Sequence, residues 1–163
     1  MLITLENKKH LVINSYFPTD PKNVNGNNIE LENLLAEIKS IINSNKCDFV
    51  YLVGDLNCDF LRNTVHVKTM EAFMNSNNLY SIWQDNPIDY TYSCENVGNH
   101  TSTFILDHIL TLTSSKQYIS SAGVLHLVEN MSDHEPIYAV IKVDHRDDKM
   151  NNDTKTNFNP KPC

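Results

Sequence analysis

Apolar positions along the first third of the chain follow two different periods. Short apolar runs at Leu2–Leu5 and Leu11–Tyr16, joined by a turn around Asn7, predict a β-hairpin. After a loop rich in Pro, Asn and Gly, leucine and isoleucine recur at helical spacing from Leu31 to Ile42. The segment Asp48–Val53, apolar after its first residue, then predicts a short strand that is buried on both faces.

The pattern continues with a second, shorter helix and more strands. Val65–Met74 has helical spacing, and strand-like runs follow near Tyr90–Tyr92, Phe104–Thr113, Gly123–Val128 and Ile137–Val143. This order of elements predicts a layered α/β fold in one domain, residues 1–143. From residue 144 to residue 163 the chain is polar, rich in Asn and without apolar period, which predicts a disordered tail.

Composition narrows the class of protein. The 163 residues are 40% hydrophobic and 20% charged, which is typical of a globular protein with a real core. The net charge of −7 argues against a broad basic surface for nucleic acid. It does not exclude a nuclease that contacts its substrate through a few local groups. The four cysteines have no CxxC spacing, so we expect reduced thiols in an intracellular protein. No apolar stretch suits a membrane span or a signal peptide, so no membrane partner is expected.

Common hydrolase motifs are missing from the sequence. It contains no Gly-x-Ser-x-Gly elbow, no His-Glu-x-x-His pair and no glycine-rich phosphate loop, and it has only four glycines. These absences exclude the usual serine hydrolases, zinc peptidases and nucleotide-binding loops.

Three short acidic clusters stand at the ends of apolar runs or inside them. Gly54-Asp55-Leu56-Asn57 follows one run, Asp107-His108 interrupts another, and Ser132-Asp133-His134-Glu135-Pro136 precedes a third. Buried carboxylates cost free energy unless they share a partner, so the clusters are expected to converge on one site. The alternatives are a plain turn for the first cluster, a carboxylate satisfied by backbone amides for the second, and a surface loop for the third.

The ordered set resembles the endonuclease/exonuclease/phosphatase superfamily, which includes deoxyribonuclease I, exonuclease III-type apurinic endonucleases and inositol-phosphate phosphatases. The resemblance rests on Tyr16-Phe17-Pro18 together with the three clusters, and it runs from about Ile3 to about Val143. The segments Leu-Asp-His-Ile-Leu-Thr and Ser-Asp-His-Glu-Pro-Ile are most similar to those of the endonuclease domains of non-LTR retrotransposons. The resemblance implies part of a four-layer α/β sandwich, in which two mixed, mainly antiparallel sheets are flanked by helices.

The resemblance also implies roles for individual residues in phosphodiester hydrolysis with Mg²⁺ or Mn²⁺. Asp55 would activate water and Asn57 would contact a phosphate oxygen. His134 would contact the scissile phosphate while paired with Asp107. The remaining assignments are Asp133, with Asp55, to the metal, and the hydroxyls of Tyr16, Ser102 and Ser132 to phosphate oxygens.

One part of the superfamily pattern has no counterpart here. Members open with a segment that carries a metal-binding Glu, and none of Glu6, Glu30 and Glu32 is placed like it. We therefore expect a truncated DNA endonuclease domain of retrotransposon origin, once joined to a reverse transcriptase in a polyprotein and nuclear if it acts on genomic DNA. The alternative is an inactive remnant or a binding module that keeps the fold.

Overall fold

The computed structural model describes residues 1–19, 29–96 and 100–142. Within these residues, two helices, α1 (Ile29–Ser44) and α2 (Val65–Ser76), and two 3-10 turns, Ile82–Gln84 and Thr113–Tyr118, accompany nine strands. The strands are β1 (Leu2–Leu5), β2 (Lys8–Asn14), β3 (Phe49–Asp55), β4 (Leu79–Ser81), β5 (Tyr92–Asn96), β6 (His100–Phe104), β7 (Asp107–Leu112), β8 (Ile119–Val124) and β9 (Ile137–Ile141). The predicted mixed α/β class is confirmed, whereas the predicted tail at 144–163 lies outside the described residues.

A five-stranded sheet in the order β1-β2-β3-β7-β4 forms the centre of the molecule. Its first two strands make the predicted hairpin, in which Glu6 and Asn7 turn with φ of 49° and 61°. That two-residue turn lets β2 begin at Lys8, earlier than the apolar pattern indicates. Strand β3 lies parallel to β2 after the α1 crossover and antiparallel to β7, and four of its seven residues are buried.

Each face of this sheet packs against a different layer. On one face α1 and α2 cover Leu52 and Leu110, and on the other the β8–β9 hairpin covers Ile109 together with Trp83. The described residues therefore form a helical layer, the five-stranded sheet and the two-stranded β8–β9 sheet, and β5 and β6 pair in a second two-stranded sheet. The four-layer sandwich stays a prediction. Neither described helix has the length and apolar character needed to cross a membrane.

The apolar pattern misplaced strands in the second half of the chain. The run Phe104–Thr113 is two strands, because Ile105 and Leu106 pass from the β5–β6 hairpin into the central sheet. Strand β6 itself is polar, so its alternation was not visible as a hydrophobic signal. Strand β8 begins at Ile119, before the predicted Gly123–Val128, ends at Val124 and contains two exposed serines.

Gly54 permits a close approach between β3 and the segment that follows β2. Its φ of 124° is unfavourable for residues with a side chain, and a Cβ at this position would overlap the carbonyl oxygen of Ser15. The same place is bridged by hydrogen bonds from Ser15 N to Val53 O and from Phe17 N to Asp55 O, both 2.9 Å long. The glycine therefore brings the Tyr16 segment beside the end of β3.

We expect Gly54→Ala to lower the free energy of unfolding by at least about 2 kcal/mol, because the backbone is strained and the Ser15 carbonyl cannot move away. Gly123→Ala is the matched control. Its Cβ would meet only the side chain of Tyr138, at 3.1 Å, so a smaller loss is expected. Urea unfolding of both variants measures the difference, and equal losses would contradict the close-approach argument.

Candidate active site

The three acidic clusters meet at one end of the central sheet. Asp55 at the end of β3 is the direct register partner of Asp107 at the start of β7. An open pocket of about 710 Å³ lies at this end. Of the predicted site residues, those that line it are Tyr16, Asp55, Asn57, Asp133 and His134. Tyr16 is largely exposed there, with 71% of its surface accessible.

Asp55 and Asn57 come together through a tight turn. The chain does not stay extended after β3, because Asn57 has a φ of 46° and its backbone N donates to Asp55 Oδ1 over 2.9 Å. The side-chain amide of Asn57 donates to the carbonyl of Phe17 over 2.8 Å and lies 3.4 Å from Asp55 Oδ2. In this arrangement Asn57 holds the Asp55 carboxylate and ties it to the Tyr16 segment.

His134 lies between two carboxylates. Its Nδ1 is 2.8 Å from Asp107 Oδ2, and its Nε2 is 3.8 Å from Asp55 Oδ2. Because an ionised carboxylate can only accept, Nδ1 carries a proton and donates to Asp107. Nε2 therefore faces the pocket beside Asp55 without a direct bond to it. Both carboxylates are mostly buried, at 12% and 14% side-chain exposure.

The acidic surroundings shift the pKa values of His134 and Asp55. Partial burial disfavours the charged imidazole, but the hydrogen bond to Asp107 and the charges of Asp107, Asp55 and Asp133 outweigh it and raise the pKa of His134. Burial is also the main cause that raises the pKa of Asp55, assisted by the nearby charges of Asp107 and Asp133. The site thus favours a protonated imidazole beside a carboxylate of increased basicity.

Thr91, which the sequence did not single out, positions the start of β7. Its hydroxyl oxygen accepts from the backbone N of Leu106 and of Asp107, both at 2.9 Å, and the residue has no exposed surface. Trp83 supports the same point by donating from Nε1 to the Asp107 carbonyl over 3.0 Å. A threonine between two tyrosines looks like an ordinary strand residue, so no sequence signal marked this role.

Tyr92 and its neighbours hold the Asp133-His134 bend. Tyr92 forms an antiparallel bridge with His134, and their rings lie 4.8 Å apart. Ser93 N donates to the Asp133 carbonyl over 2.9 Å, and Asp133 lines the pocket. Ser132 Oγ accepts from His134 N over 3.1 Å and so shapes the bend.

Ser102 and Ser132, the two serines predicted to contact phosphate, are not part of the pocket lining. Ser102 lies in β6 opposite Cys94, and its hydroxyl accepts from the Asn96 amide. Their assignment to phosphate stays a prediction.

His108 anchors the loop that follows β3. Its Nε2 lies 2.8 Å from the Cys58 carbonyl and 3.1 Å from the Ile105 carbonyl, so this nitrogen carries the proton and donates. Phe60 packs edge-on against the ring at 4.8 Å. Burial lowers the pKa of His108 to about 4, and Nδ1 has no acceptor among the described residues for a second proton. His108 is therefore a neutral structural residue.

Comparison with known proteins gives a consistent result for the fold. No family profile and no curated protein matches the sequence. Solved structures do match. The endonuclease domain of TRAS1, a telomere-specific non-LTR retrotransposon, superposes with a TM-score of 0.69 at 15% identity over 87% of this chain and 62% of its own.

Two further structures agree with that match. An endonuclease/exonuclease/phosphatase family protein from Leptotrichia buccalis has a TM-score of 0.61 at 19% identity, over 87% of this chain and 52% of its own. The 3′ phosphatase NExo from Neisseria, bound to a product DNA hairpin, has a TM-score of 0.63 at 15% identity, over 87% and 64%. This chain has the endonuclease/exonuclease/phosphatase fold. It spans between half and two thirds of the length of these proteins.

A metal ion at this site would need suitable ligands among the side chains of the pocket. Within residues 1–19, 29–96 and 100–142, no group of three or more His, Cys, Asp or Glu side chains is arranged to hold an ion. Mg²⁺, however, keeps several waters and needs only one or two protein carboxylates plus phosphate oxygens. Asp55 and Asp133 line the same pocket, and the charge of Asp133 helps to raise the pKa of Asp55. This donor set fits a largely hydrated divalent cation.

We expect Asp107→Asn to lower the pKa of His134, since the amide removes the charge that stabilises the imidazolium. NMR titration of the imidazole signals in metal-free buffer measures the shift. The His126→Gln variant identifies the imidazole signal of His126 by its loss and so helps to assign the signal of His134. An unchanged or higher His134 pKa in Asp107→Asn would contradict the pairing.

We expect stability to fall as the pH drops from about 6.5 towards 4, because the unfolded chain takes up a proton at residue 108 before the folded chain does. At pH 5, protonation of residue 108 in the unfolded chain lowers the free energy of unfolding by about 2 kcal/mol relative to neutral pH. His108→Gln keeps a donor for the Cys58 carbonyl but cannot titrate. Urea unfolding at pH 7.5 and pH 5 should therefore show a smaller loss for His108→Gln, and equal losses would contradict the neutral assignment.

Proposed function

We propose that this chain is a nuclease domain that hydrolyses phosphodiester bonds of DNA with the help of a divalent metal ion. The observation that carries the proposal is the position of His134, bonded to Asp107 through Nδ1 and facing Asp55 through Nε2 in an open pocket. A proton donor and a basic carboxylate 3.8 Å apart suit hydrolysis, in which one group removes a proton from water and the other stabilises the charge that develops on phosphate. The fold is similar to that of a retrotransposon endonuclease domain and of a 3′ phosphatase.

In the proposed reaction Asp55 orients a water molecule and accepts its proton as the water oxygen attacks phosphorus. Its raised pKa makes the carboxylate a better base. The bond between phosphorus and the 3′ oxygen breaks, and the leaving 3′ oxygen takes its electron pair and a proton from a solvent water, which leaves a 3′-hydroxyl end and a 5′-phosphate end. Protonated His134 donates from Nε2 to a phosphoryl oxygen as negative charge develops there, and Asp107 keeps the ring in that orientation.

The other pocket residues position the substrate. The Tyr16 hydroxyl, at the exposed rim, donates to a further phosphoryl oxygen. Asn57 keeps the Asp55 carboxylate in place and is close enough to the pocket to contact phosphate when substrate is bound. A Mg²⁺ or Mn²⁺ ion bound by Asp133 and Asp55 would neutralise phosphate charge.

The proposal also specifies DNA as the substrate and a retrotransposon as the origin of the chain. They are supported by the similarity to the TRAS1 endonuclease domain and by the DNA hairpin bound to the Neisseria phosphatase. On this view the chain is part of a longer domain, and a reverse transcriptase in a parent polyprotein is its partner. Action on genomic DNA would place it in the nucleus.

A second candidate is a protein that keeps the fold without catalysis. It is favoured by the absence of a three-ligand metal group in the described part of the chain, and by the limited share of each solved domain that this chain spans. The net charge of −7 also weakens unassisted binding to a polyanion. Retention of the full Asp55, Asp107 and His134 geometry favours the nuclease.

We expect the purified chain to nick supercoiled plasmid in Mg²⁺ and to lose this activity in EDTA. His134→Ala and Asp55→Ala should each reduce nicking at least about a hundredfold, because general acid and base groups contribute that much. His126→Ala is the matched control, since His126 also contacts a carboxylate, Asp89 at 3.2 Å, but lies outside the pocket.

Metal binding has a separate readout. Electron paramagnetic resonance of Mn²⁺ should show bound ion in the parent protein and in His126→Ala, and less in Asp133→Asn. Folded protein that binds Mn²⁺ but does not nick would favour the inactive form. Nicking that survives in both His134→Ala and Asp55→Ala would overturn the site assignment.

A further inference from the structure

Arg62 is the one permanently cationic side chain among the described residues that line the candidate active site. The same lining contains three carboxylates, those of Asp55, Asp59 and Asp133. A polyanionic substrate is repelled by such a pocket unless cations offset the charge. An arginine at this place is therefore a candidate for direct contact with the substrate.

The position of Arg62 is defined by a tight turn and by two contacts of its side chain. Arg62 N donates to the Asp59 carbonyl over 2.9 Å, and Leu61 N donates to Asp59 Oδ1 over 3.1 Å. The Arg62 Nε lies 3.4 Å from Asp59 Oδ2, and the guanidinium carbon lies 4.1 Å from the centre of the Phe104 ring. Stacking on an aromatic ring orients the guanidinium plane before any ligand arrives.

The guanidinium keeps donors free for a ligand. The ion pair uses Nε, so the terminal NH₂ groups can still donate. More than half of the Arg62 side chain is exposed, whereas Asp59 is nearly buried, at 55% and 10%. Two parallel N–H groups on a planar fork match the oxygens of a phosphate.

The sheet register places this guanidinium away from the scissile position. Tyr92 pairs with Phe104 on one side and with His134 on the other, so Phe104 and His134 are two strand spacings apart, or about 10 Å. Arg62 stacks on Phe104, at the far side of Tyr92 from His134. This backbone spacing favours contact between Arg62 and a phosphate other than the one beside His134.

We propose that Arg62, held on Phe104 and paired with Asp59, binds a phosphodiester group that flanks the scissile phosphate of a nucleic-acid strand. The inference rests on the proposed nuclease function and makes it more specific. A substrate that uses both positions must carry at least two phosphates along one strand, which selects polynucleotides over small phosphate esters.

The test measures binding of a fluorescent oligodeoxynucleotide by anisotropy over a series of NaCl concentrations. The variants are Arg62→Gln, Arg62→Lys and Lys116→Gln. Lys116 is a close match to Arg62: its side chain is also 55% exposed, Nζ lies 2.8 Å from Asp85 Oδ1 and 5.8 Å from the Tyr80 ring centre, and it does not line the pocket.

We expect Arg62→Gln to weaken binding about tenfold, as for loss of one charge-assisted hydrogen bond. The slope of log K against log salt should become shallower by about 0.7 to 0.9, the value for one released phosphate counterion. Arg62→Lys should keep the slope, and Lys116→Gln should match the parent in both quantities. In nicking assays Arg62→Gln should raise KM with little change in kcat.

A thymidine p-nitrophenyl phosphodiester, which has no flanking phosphate, separates this inference from the proposed function. Arg62→Gln should cleave it as well as the parent does. An unchanged salt slope in Arg62→Gln, or an equal loss with the short diester, would overturn the flanking-phosphate role. A parent that cleaves the short diester without binding the oligonucleotide would overturn it too, while phosphodiester hydrolysis would stand. A parent that does neither would remove both proposals.

Discussion

The antiparallel register between β3 and β7 is the constraint on which the candidate site depends. It sets Asp55 opposite Asp107 at the end of the central sheet, although the two residues are far apart in sequence. A shift of one residue would send one of these side chains to the opposite face of the sheet. The apolar residues of β3 and β7 prevent such a shift, because Leu52 and Leu110 face the helices while Ile109 faces the β8–β9 hairpin. Core packing therefore determines the distance between the two carboxylates.

Buried hydrogen bonds fix the loops around the site in position relative to the central sheet. Thr91 and Trp83 hold the backbone at Asp107, and His108 holds the loop after β3 through the Cys58 carbonyl. Each of these polar groups is buried or nearly so, and each would be costly without its partner. The loop that carries Asn57 and Arg62 is thus attached to the same strand that carries Asp107. Reactive groups on loops acquire the rigidity of the sheet in this way.

The electrostatics of the site combine repulsion among carboxylates with one strong pairing, between His134 and Asp107. Three carboxylates near His134 favour the imidazolium, and two of them make Asp55 harder to ionise. The same charge repels a polyanion, which a bound cation and Arg62 would offset. A protein with net charge −7 can therefore have a local site for phosphate without a broad basic surface. Selectivity would then come from the spacing of His134 and Arg62 along the strand.

The sequence by itself determined the α/β class, the opening hairpin, both helices, strand β3 and the three clusters around Asp55, Asp107 and His134. These are local signals, since period, turn residues and motif spacing are all read from neighbouring positions. Only the tertiary structure decided the break between β6 and β7, the hydrogen bond from the Asn57 amide to the Phe17 carbonyl, and the roles of Thr91 and Arg62. Those features depend on contacts between residues distant in sequence, such as a hydroxyl that meets two backbone amides or a guanidinium that meets a ring. No local pattern encodes such contacts, because they arise from packing and register.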